Sequence, residues 1–427
     1  MTLTRDSWLV VVGMGRELVY DEVTLLHAQI TAMVMDLGNL NWNKRMLFSL
    51  SSILFFFIIL IVVSLKVFSS WQEGLKNLND INEIELNLIE EVGANEDFLF
   101  GRISKVIVSS SGTLIVSDWK KLSLEQFDKN GRHISTIASK GKGPGDLQSF
   151  FYIFLVNENS IIVSHDGATD LINYYVRNEN GVLTYSDSWL PIRNDEYFID
   201  IVQAISKSKY YALTKQKRRS ISNDYNNKQY SYKMLAVVDR EKKLISNKLH
   251  ELKEPNAIFD FGNNSMQYIG MPPYQSRDQF KYLYDGKYII ARPDSSKIYF
   301  YDDNHNLTKS IYLQLDRERV TEENVEHYFK NNRYNDEDRK RIESRIPSYK
   351  PSFLNLWITK TKIFLQTDVN KKGNEITMLN MKGEPIGFFH ISKFDRIQHI
   401  KTDTIYTIYQ HPKKGHRIRL YNINDQN

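Results

Sequence analysis

The chain has 427 residues, with 56 basic and 51 acidic side chains and a formal net charge of +5. So small a basic excess argues against nucleic acid as a partner, because nucleic-acid binders carry dense cationic surfaces. The 20 glycines and 10 prolines are too few for a collagen-like or disordered chain, whereas 25 tyrosines and 22 phenylalanines favour a β-rich interior. The absence of cysteine excludes disulfides, zinc–thiolate sites and thiol nucleophiles.

An apolar segment without charges is the clearest signal in the chain. Residues 47–65 read LFSLSSILFFFIILIVVSL, close to the roughly 20 residues with which an α-helix crosses a bilayer. Lys44 and Arg45 precede it and Trp71 follows, a pattern typical of a cytoplasmic start. A cleaved signal peptide is the alternative, although its apolar core is usually about 7–15 residues. We expect one transmembrane helix over residues 46–66, in the cytoplasmic (inner) membrane, with the remainder of the chain on the extracytoplasmic side.

The segments on either side of this helix are less regular. Apolar residues at alternating steps of four and three within residues 19–37 indicate a helix in the N-terminal tail, residues 1–45. A mis-assigned start is the alternative for this tail, since later methionines are available. Residues 67–82 are interpreted as a linker to the domain that follows.

From residue 83 to the C-terminus the chain repeats one pattern of short apolar strands separated by polar turns. In residues 101–137, turns at 109–112 and 128–131 separate strands of about five residues. Six such units follow one another, and the last is one strand short. Residues 82–92, NEIELNLIEEV, supply a spare strand that would complete the last sheet and leave no unpaired edge. The repeats predict an all-β, six-bladed β-propeller over residues 83–427, and we expect it to be monomeric.

The first unit also carries a family resemblance. The run GTLIVSDWKKLSLEQFDKNGRHISTIASKGKGPGDLQSF, with Asp118, Phe127, Asp128, Gly131 and the Gly-Pro-Gly of residues 143–145, resembles NHL-like six-bladed propellers. It is most similar to the "6-bladed beta-propeller" proteins of Bacteroidetes-type bacteria. The resemblance implies the fold and not a ligand. Members of the family are frequently lipoproteins, so in this cysteine-free chain the transmembrane helix would provide the tether.

Two segments invite other interpretations. The glycines of residues 141–145 could suggest a phosphate loop, but Asp146 and Leu147 stand where Lys and Ser or Thr would be needed, so we predict a connection between two blades. Residues 316–345 are densely charged and free of Gly and Pro, which predicts two short helices inserted between blades 4 and 5. These helices could be a solvated flap or a lid over the channel.

The candidate site residues are dispersed along the chain. Acidic residues at equivalent turns after the second strand of a blade are either turn-stabilising or part of an acidic ring; they are Asp118, Asp166 beside His165, Asp294 and Asp368. Arg292 is a further candidate, and the basic hairpin of residues 411–419 contributes His411 and His416. No catalytic residue, metal-ligand set or cofactor motif is identified.

The sequence therefore favours a membrane-anchored, extracytoplasmic β-propeller that binds a protein, peptide or glycan ligand through its loops. The alternative is a propeller hydrolase or lyase with a metal-assisted site in the central channel. A structural or signalling ectodomain is a third possibility. Whether the protein is an enzyme stays open, since a fold alone does not define a function.

Overall fold

The computed structural model describes residues 82–93, 98–165, 171–190, 196–216, 230–262, 265–315, 317–369, 371–413 and 415–424. The predicted N-terminal tail, the predicted transmembrane helix over residues 46–66 and nearly all of the predicted linker lie outside these ranges. Within them, no helix combines the length and apolar character that crossing a membrane requires.

Six four-stranded antiparallel sheets form the blades of a propeller, which confirms the predicted fold. The first strands of blades 5, 6, 1, 2 and 3 contact one another in turn, so the first strands line the centre of the ring. From the centre outward, blade 1 consists of β2 (Ile103–Val108), β3 (Leu114–Asp118), β4 (Ser123–Phe127) and β5 (His133–Ala138). Blade 2 consists of β6 (Phe151–Asn157), β7 (Ser160–His165), β8 (Ile172–Arg177) and β9 (Leu183–Trp189). Blade 3 consists of β10 (Tyr197–Ser206), β11 (Lys209–Gln216), β12 (Tyr230–Asp239) and β13 (Leu244–Pro255). A separate hairpin follows, made of β14 (Ile258–Gly262) and β15 (Ser265–Gly270). Blade 4 consists of β16 (Gln279–Tyr284), β17 (Lys287–Arg292), β18 (Lys297–Tyr301) and β19 (Leu307–Tyr312). Blade 5 consists of β20 (Asn355–Ile358), β21 (Lys362–Val369), β22 (Asn374–Asn380) and β23 (Pro385–Ile391). Blade 6 consists of β24 (Asp395–Lys401), β25 (Thr404–His411) and β26 (Gly415–Ile423), with β1 (Leu86–Val92) outermost.

The blades pack through alternate faces of the same strands. In β3, Leu114 and Val116 lie in the core between blades 6 and 1, whereas Ile115 lies in the core between blades 1 and 2. Successive side chains of a strand point to opposite faces, so a strand buried on both faces needs an unbroken apolar run rather than alternation. This explains the LIV of β3 and the YIIA of β17, and the described residues form one such apolar cluster at each of the six junctions.

The ring closes where the sequence predicts. Strand β1 pairs antiparallel with β26, from Leu86 opposite Ile423 to Val92 opposite Ile418. The N-terminal strand thereby becomes the fourth strand of blade 6, and it covers the edge that β26 would otherwise leave unpaired.

Ion pairs reinforce this closure. Glu91 of β1 accepts hydrogen bonds from Arg417 Nη1 at 2.8 Å and Arg419 Nε at 2.5 Å. Arg419 also lies 3.3 Å from the fully buried carboxylate of Asp395, and its guanidinium stacks on the Tyr409 ring at 3.4 Å. The basic hairpin of residues 411–419 therefore contributes Arg417 and Arg419 to the closure of the ring.

An accessory module is formed by two segments that precede and follow blade 4 in the sequence. The predicted helices are present as α1 (Glu322–Lys330) and α2 (Asp336–Glu343), with Thr321 and Asn335 as their N-caps. Their buried side chains, Phe329 and Ile342, pack on Ile258 of the β14–β15 hairpin. This hairpin was not predicted. The helices are thus partly buried against it, rather than forming an isolated flap.

The glycine-rich segment joins two blades, as predicted. Residues 139–150 run from β5 of blade 1 to β6 of blade 2, and the Asp146 carboxylate accepts the Gly143 N–H at 2.7 Å. Gly145 has φ +80°, and a Cβ there would lie 2.6 Å from the Tyr185 ring. Only glycine meets both constraints, so this loop is a structural connection.

Candidate functional site

Two cavities lie along the first strands of the blades. The larger has a volume of 1060 Å³, and its wall includes Lys105, Gln203, Tyr282 and His399. The smaller, of 600 Å³, is lined by Lys281, Trp357 and Arg396, among other residues. Gln398 of β24 lines both cavities, so they adjoin at blade 6. Their combined wall comes from all six innermost strands, which makes them two parts of the central channel.

A lysine from blade 1 enters this channel. Strand β2 contains a bulge between Ile103 and Lys105, where Ser104 Oγ bonds Ser117 Oγ at 2.5 Å. Bulges turn the following side chain away from its regular direction. The Lys105 ammonium donates to the Ile153 carbonyl oxygen at 2.9 Å and lies 4.9 Å from the centre of the Phe154 ring. Burial and then the charge of Lys281 lower the pKa of Lys105 to about 8.

A second lysine enters from blade 4. Lys281 is the third residue of β16, as Lys105 is the third residue of β2, and blades 1 and 4 stand opposite each other in a ring of six. Burial lowers the pKa of Lys281 as well. Among the described residues, the Lys281 side chain has no hydrogen-bond or ion-pair partner, and no carboxylate perturbs either lysine. Both side chains are half-buried and face the cavities.

The remaining wall is polar but adds little opposing charge. Burial, with the nearby charge of Lys401, lowers the pKa of His399 to about 4, so this imidazole is neutral at physiological pH. The acidic residues of the larger cavity lie on its solvent-exposed rim; they are Glu158, Asp285 and Asp303. The smaller cavity also includes the buried carboxylate of Asp395, which already accepts hydrogen bonds from Thr407, Arg419 and Tyr421. With that carboxylate engaged, the two lysines and Arg396 make the interior cationic. Such a cavity favours an anion, since the negative charge would compensate the lysine ammonium groups for the water contacts that they lose on burial.

Asp118 and His416 come together, but at a structural junction. The buried carboxylate of Asp118 accepts backbone N–H bonds from its own turn and the preceding strand entry; the donors are Gly101 (2.5 Å), Arg102 (2.8 Å), Lys120 (3.0 Å) and Lys121 (3.1 Å). His416 Nδ1 accepts the Ile103 N–H at 3.2 Å. Burial lowers the pKa of His416, although the charge of Asp118 opposes the shift. Asp118 therefore stabilises a turn, and His416 stabilises the junction between blades 6 and 1.

The other sequence candidates lie apart from one another. His165 ends β7 and is buried, with Nε2 3.2 Å from the Asn173 amide, while Asp166 lies outside the described residues. Arg292 ends β17, 3.9 Å from Asp278. His411 stacks on Tyr409 at the end of β25.

The three turn acids that the structure describes, Asp118, Asp294 and Asp368, do not form a ring. Asp294 pairs with Lys253 and lies 3.5 Å from Arg317, and Asp368 lies inside β21 opposite Glu375 rather than in a turn. The expectation of equivalent turns is therefore wrong for Asp368, because β21 continues for one residue beyond it. In the described parts of the chain, no three His, Asp or Glu side chains come together as a metal site would require.

Sequence analysis missed both channel lysines. The available signal was a lysine at the third position of the first strand in two units, ISKVIV and QFKYLY. A single lysine in an apolar strand normally marks a solvent-facing position, so the signal becomes informative only once these strands are known to be innermost.

The fold and the channel together define a six-bladed β-propeller with a lysine-lined centre. The sequence matches the family model described as "6-bladed beta-propeller" over residues 91–350, more than half of the chain. The chain belongs to this family. The match confirms the six-bladed part of the predicted resemblance, whereas the NHL-like part stays a prediction.

Solved structures share the fold at low identity. A Bacteroides fragilis protein classed provisionally as exported is 14% identical, with 81% of this chain and 98% of that chain covered and a TM-score of 0.45. A duf4221 family member from Bacteroides vulgatus is 13% identical, with 81% and 99% covered and a TM-score of 0.44. Virginiamycin B lyase from Staphylococcus aureus is 10% identical, with 80% and 100% covered and a TM-score of 0.38. None of the curated proteins matches the chain. These likenesses add no argument about ligand or reaction.

Proposed function

We propose that this propeller binds an anionic small molecule in its central channel, between Lys105 and Lys281. The observation that carries the proposal is that two opposed lysines face the cavities without a carboxylate partner among the described residues. Binding in the channel replaces the loop-based recognition that the sequence favoured, while the class of function, a ligand-binding module, is the same.

The ammonium groups of the two channel lysines are partly removed from water, which costs free energy. Removing an ammonium from water without a counter-ion is unfavourable, and an apolar side chain of similar volume would avoid the cost. A ligand carboxylate or phosphate supplies the missing charge, and charge-assisted hydrogen bonds are about twice as strong as neutral ones. Gln203, Tyr282 and Gln398 offer neutral donors and acceptors to the remainder of the ligand.

Thermal unfolding of the full chain tests this proposal. The probes are sodium salts of phosphate, pyruvate, 2-oxoglutarate and citrate, at constant ionic strength set with sodium chloride. A ligand present at about 100 times its Kd stabilises the folded state by about 2.7 kcal/mol. We expect at least one probe to raise the Tm of the wild type, and Lys105→Met/Lys281→Met to lose that rise. Trp357 lines the smaller cavity, so its fluorescence should change with the same probe.

The matched control is Lys382→Met, which removes an exposed lysine from the turn between β22 and β23. This variant should respond to the probe as the wild type does. An equal Tm rise in the double channel variant, or no rise with any probe in the wild type, would overturn the proposal.

We also propose that residues 46–66 anchor the propeller to the cytoplasmic membrane, with the channel outside the cytoplasm. The support is the uncharged run of residues 47–65. Alkaline carbonate extraction of membranes should leave the full chain in the pellet and release a variant that lacks residues 47–65. Lys281→Met is the matched control and should stay in the pellet. Release of the full chain would contradict the anchor.

A further inference from the structure

We propose that Lys105 forms an imine with a carbonyl compound that carries a carboxylate, of which 2-oxo acids are the simplest class, and that Lys281 holds the carboxylate. This inference rests on the proposed binding of anions in the channel. It goes further, because it assigns different roles to the two lysines and predicts a covalent bond.

The surroundings of Lys105 suit a nucleophilic amine. Among the described residues its nitrogen has one polar contact, the Ile153 carbonyl oxygen at 2.9 Å, and the Phe154 ring covers another side. A neutral amine needs only one N–H for that carbonyl, so its lone pair is free to face the cavity that Lys105 lines. No carboxylate of the described residues holds the amine in its protonated form.

The positive charge of Lys281 lowers the pKa of Lys105 and also attracts the carboxylate of the carbonyl compound. Desolvation and a second nearby cation are the two conditions that activate lysine nucleophiles. Burial, with Lys281 second, brings the pKa of Lys105 to about 8, so at pH 8 about half of this amine is neutral. An ordinary lysine at the same pH is neutral in well under about 1% of molecules, roughly a 100-fold difference. Lys281 has no described partner of its own and is available to a carboxylate.

The reaction is a balanced condensation. The Lys105 nitrogen attacks the carbonyl carbon and forms a C–N bond, while the carbonyl π pair moves to oxygen. Nitrogen then loses protons as oxygen gains them, and the oxygen leaves as water when the C=N bond forms. No electrons are gained or lost overall, and hydrolysis reverses the reaction. Sodium cyanoborohydride, an external reductant, converts the imine to a stable secondary amine.

The experiment is reductive trapping on the full chain. Pyruvate and sodium cyanoborohydride are added at pH 8, and the labelled lysine is identified by mass spectrometry of peptides. We expect Lys105 to be labelled at least about tenfold faster than any other lysine, in view of its larger neutral fraction. Acetone, which has the carbonyl but no carboxylate, should label Lys105 at least about tenfold more slowly than pyruvate.

Three variants separate the roles. Lys105→Arg keeps the charge but cannot form an imine, so labelling at this position disappears. Lys281→Met should lose both the Tm rise and the preference for pyruvate over acetone. Lys382→Arg is the matched surface control and should label at Lys105 like the wild type. Circular dichroism of each variant shows that the propeller is folded.

The outcomes distinguish the two proposals. A pyruvate-induced Tm rise without an adduct at Lys105 would overturn the imine and leave anion binding intact. Absence of both the Tm rise and the adduct with pyruvate and with 2-oxoglutarate would overturn both. Labelling spread evenly over surface lysines, or equal labelling by acetone and pyruvate, would also overturn the assignment of roles.

Discussion

The closure of the ring and the central channel both contain charges that are partly removed from water, but they treat these charges differently. At the closure, Glu91 bonds both Arg417 and Arg419, and Arg419 reaches Asp395. In the channel, Lys105 has one neutral carbonyl partner and Lys281 has none among the described residues. The first arrangement is complete in the folded chain, whereas the second is complete only when an anion is added.

The pKa shifts express the same difference. Burial acts to raise the pKa of Glu91, but the hydrogen bonds from Arg419 and Arg417 outweigh it, so the pKa lies below its usual value. Both channel lysines shift in the direction that burial alone dictates. At the closure, the hydrogen bonds to Glu91 outweigh the free-energy cost of burying its charge, so this network stabilises the fold. The channel lysines have no such compensation, which indicates a role other than stability.

The largest expected effect comes from breaking the closure. Glu91→Ala leaves two arginines without their carboxylate on the strand that completes blade 6. We expect a loss of about 2–4 kcal/mol in the free energy of unfolding at pH 7, somewhat less than for a fully buried pair because Glu91 is 20% exposed. Guanidinium chloride unfolding followed by circular dichroism measures this loss.

The pH dependence of that loss has a definite sign. Since the folded-state pKa of Glu91 is lowered, its contribution is present above the unfolded pKa of about 4.3 and is lost as the pH falls through the folded value. The gap between wild type and Glu91→Ala should therefore narrow below about pH 4. Glu90→Ala, at the exposed neighbouring position, is the control and should change stability by less than about 0.5 kcal/mol. A loss in Glu90→Ala as large as in Glu91→Ala would show that strand β1, not its ion pairs, determines the effect.

The closure could be predicted from the sequence because its determinants are periodic. Alternating Ile84, Leu86 and Leu88, together with a last unit one strand short, indicate which strand pairs with which edge. The helices of residues 316–345 could be predicted from their N-cap residues and acidic first turns. The β14–β15 hairpin was missed because it packs on the two helices and belongs to none of the repeated four-stranded units.

The channel site could not be predicted in the same way. Lys105 and Lys281 lie 176 positions apart in the sequence, and their placement in one channel depends on the ring bringing the innermost strands of blades 1 and 4 to its centre. The turn acids Asp118 and Asp294 looked more functional in the sequence, yet backbone N–H groups and basic side chains satisfy them. Local composition reports whether a group is charged, while only the three-dimensional neighbours report whether that charge is balanced.

A smaller effect, of opposite sign, is expected from removing a channel charge. Lys281→Met replaces an ammonium without a described partner by an apolar side chain of similar length. In the absence of ligand we expect the free energy of unfolding to rise by about 1 kcal/mol at pH 7, a discounted value because the side chain is half-buried and solvent screens part of the cost. Lys105→Met should gain less, since it also removes the donor to the Ile153 carbonyl.

The gain should disappear at high pH. A lysine whose folded-state pKa is lowered costs stability in full below that pKa, and the cost fades as the pH rises toward the unfolded value of about 10.4. Guanidinium chloride unfolding at pH 7 and pH 10 measures the difference, with the exposed Lys382→Met as the control that should change little at either pH. A loss of stability in Lys281→Met at pH 7 would mean that the ammonium is already balanced within the folded chain. The contrast between the closure and the channel, and the anion site proposed from it, would then be wrong.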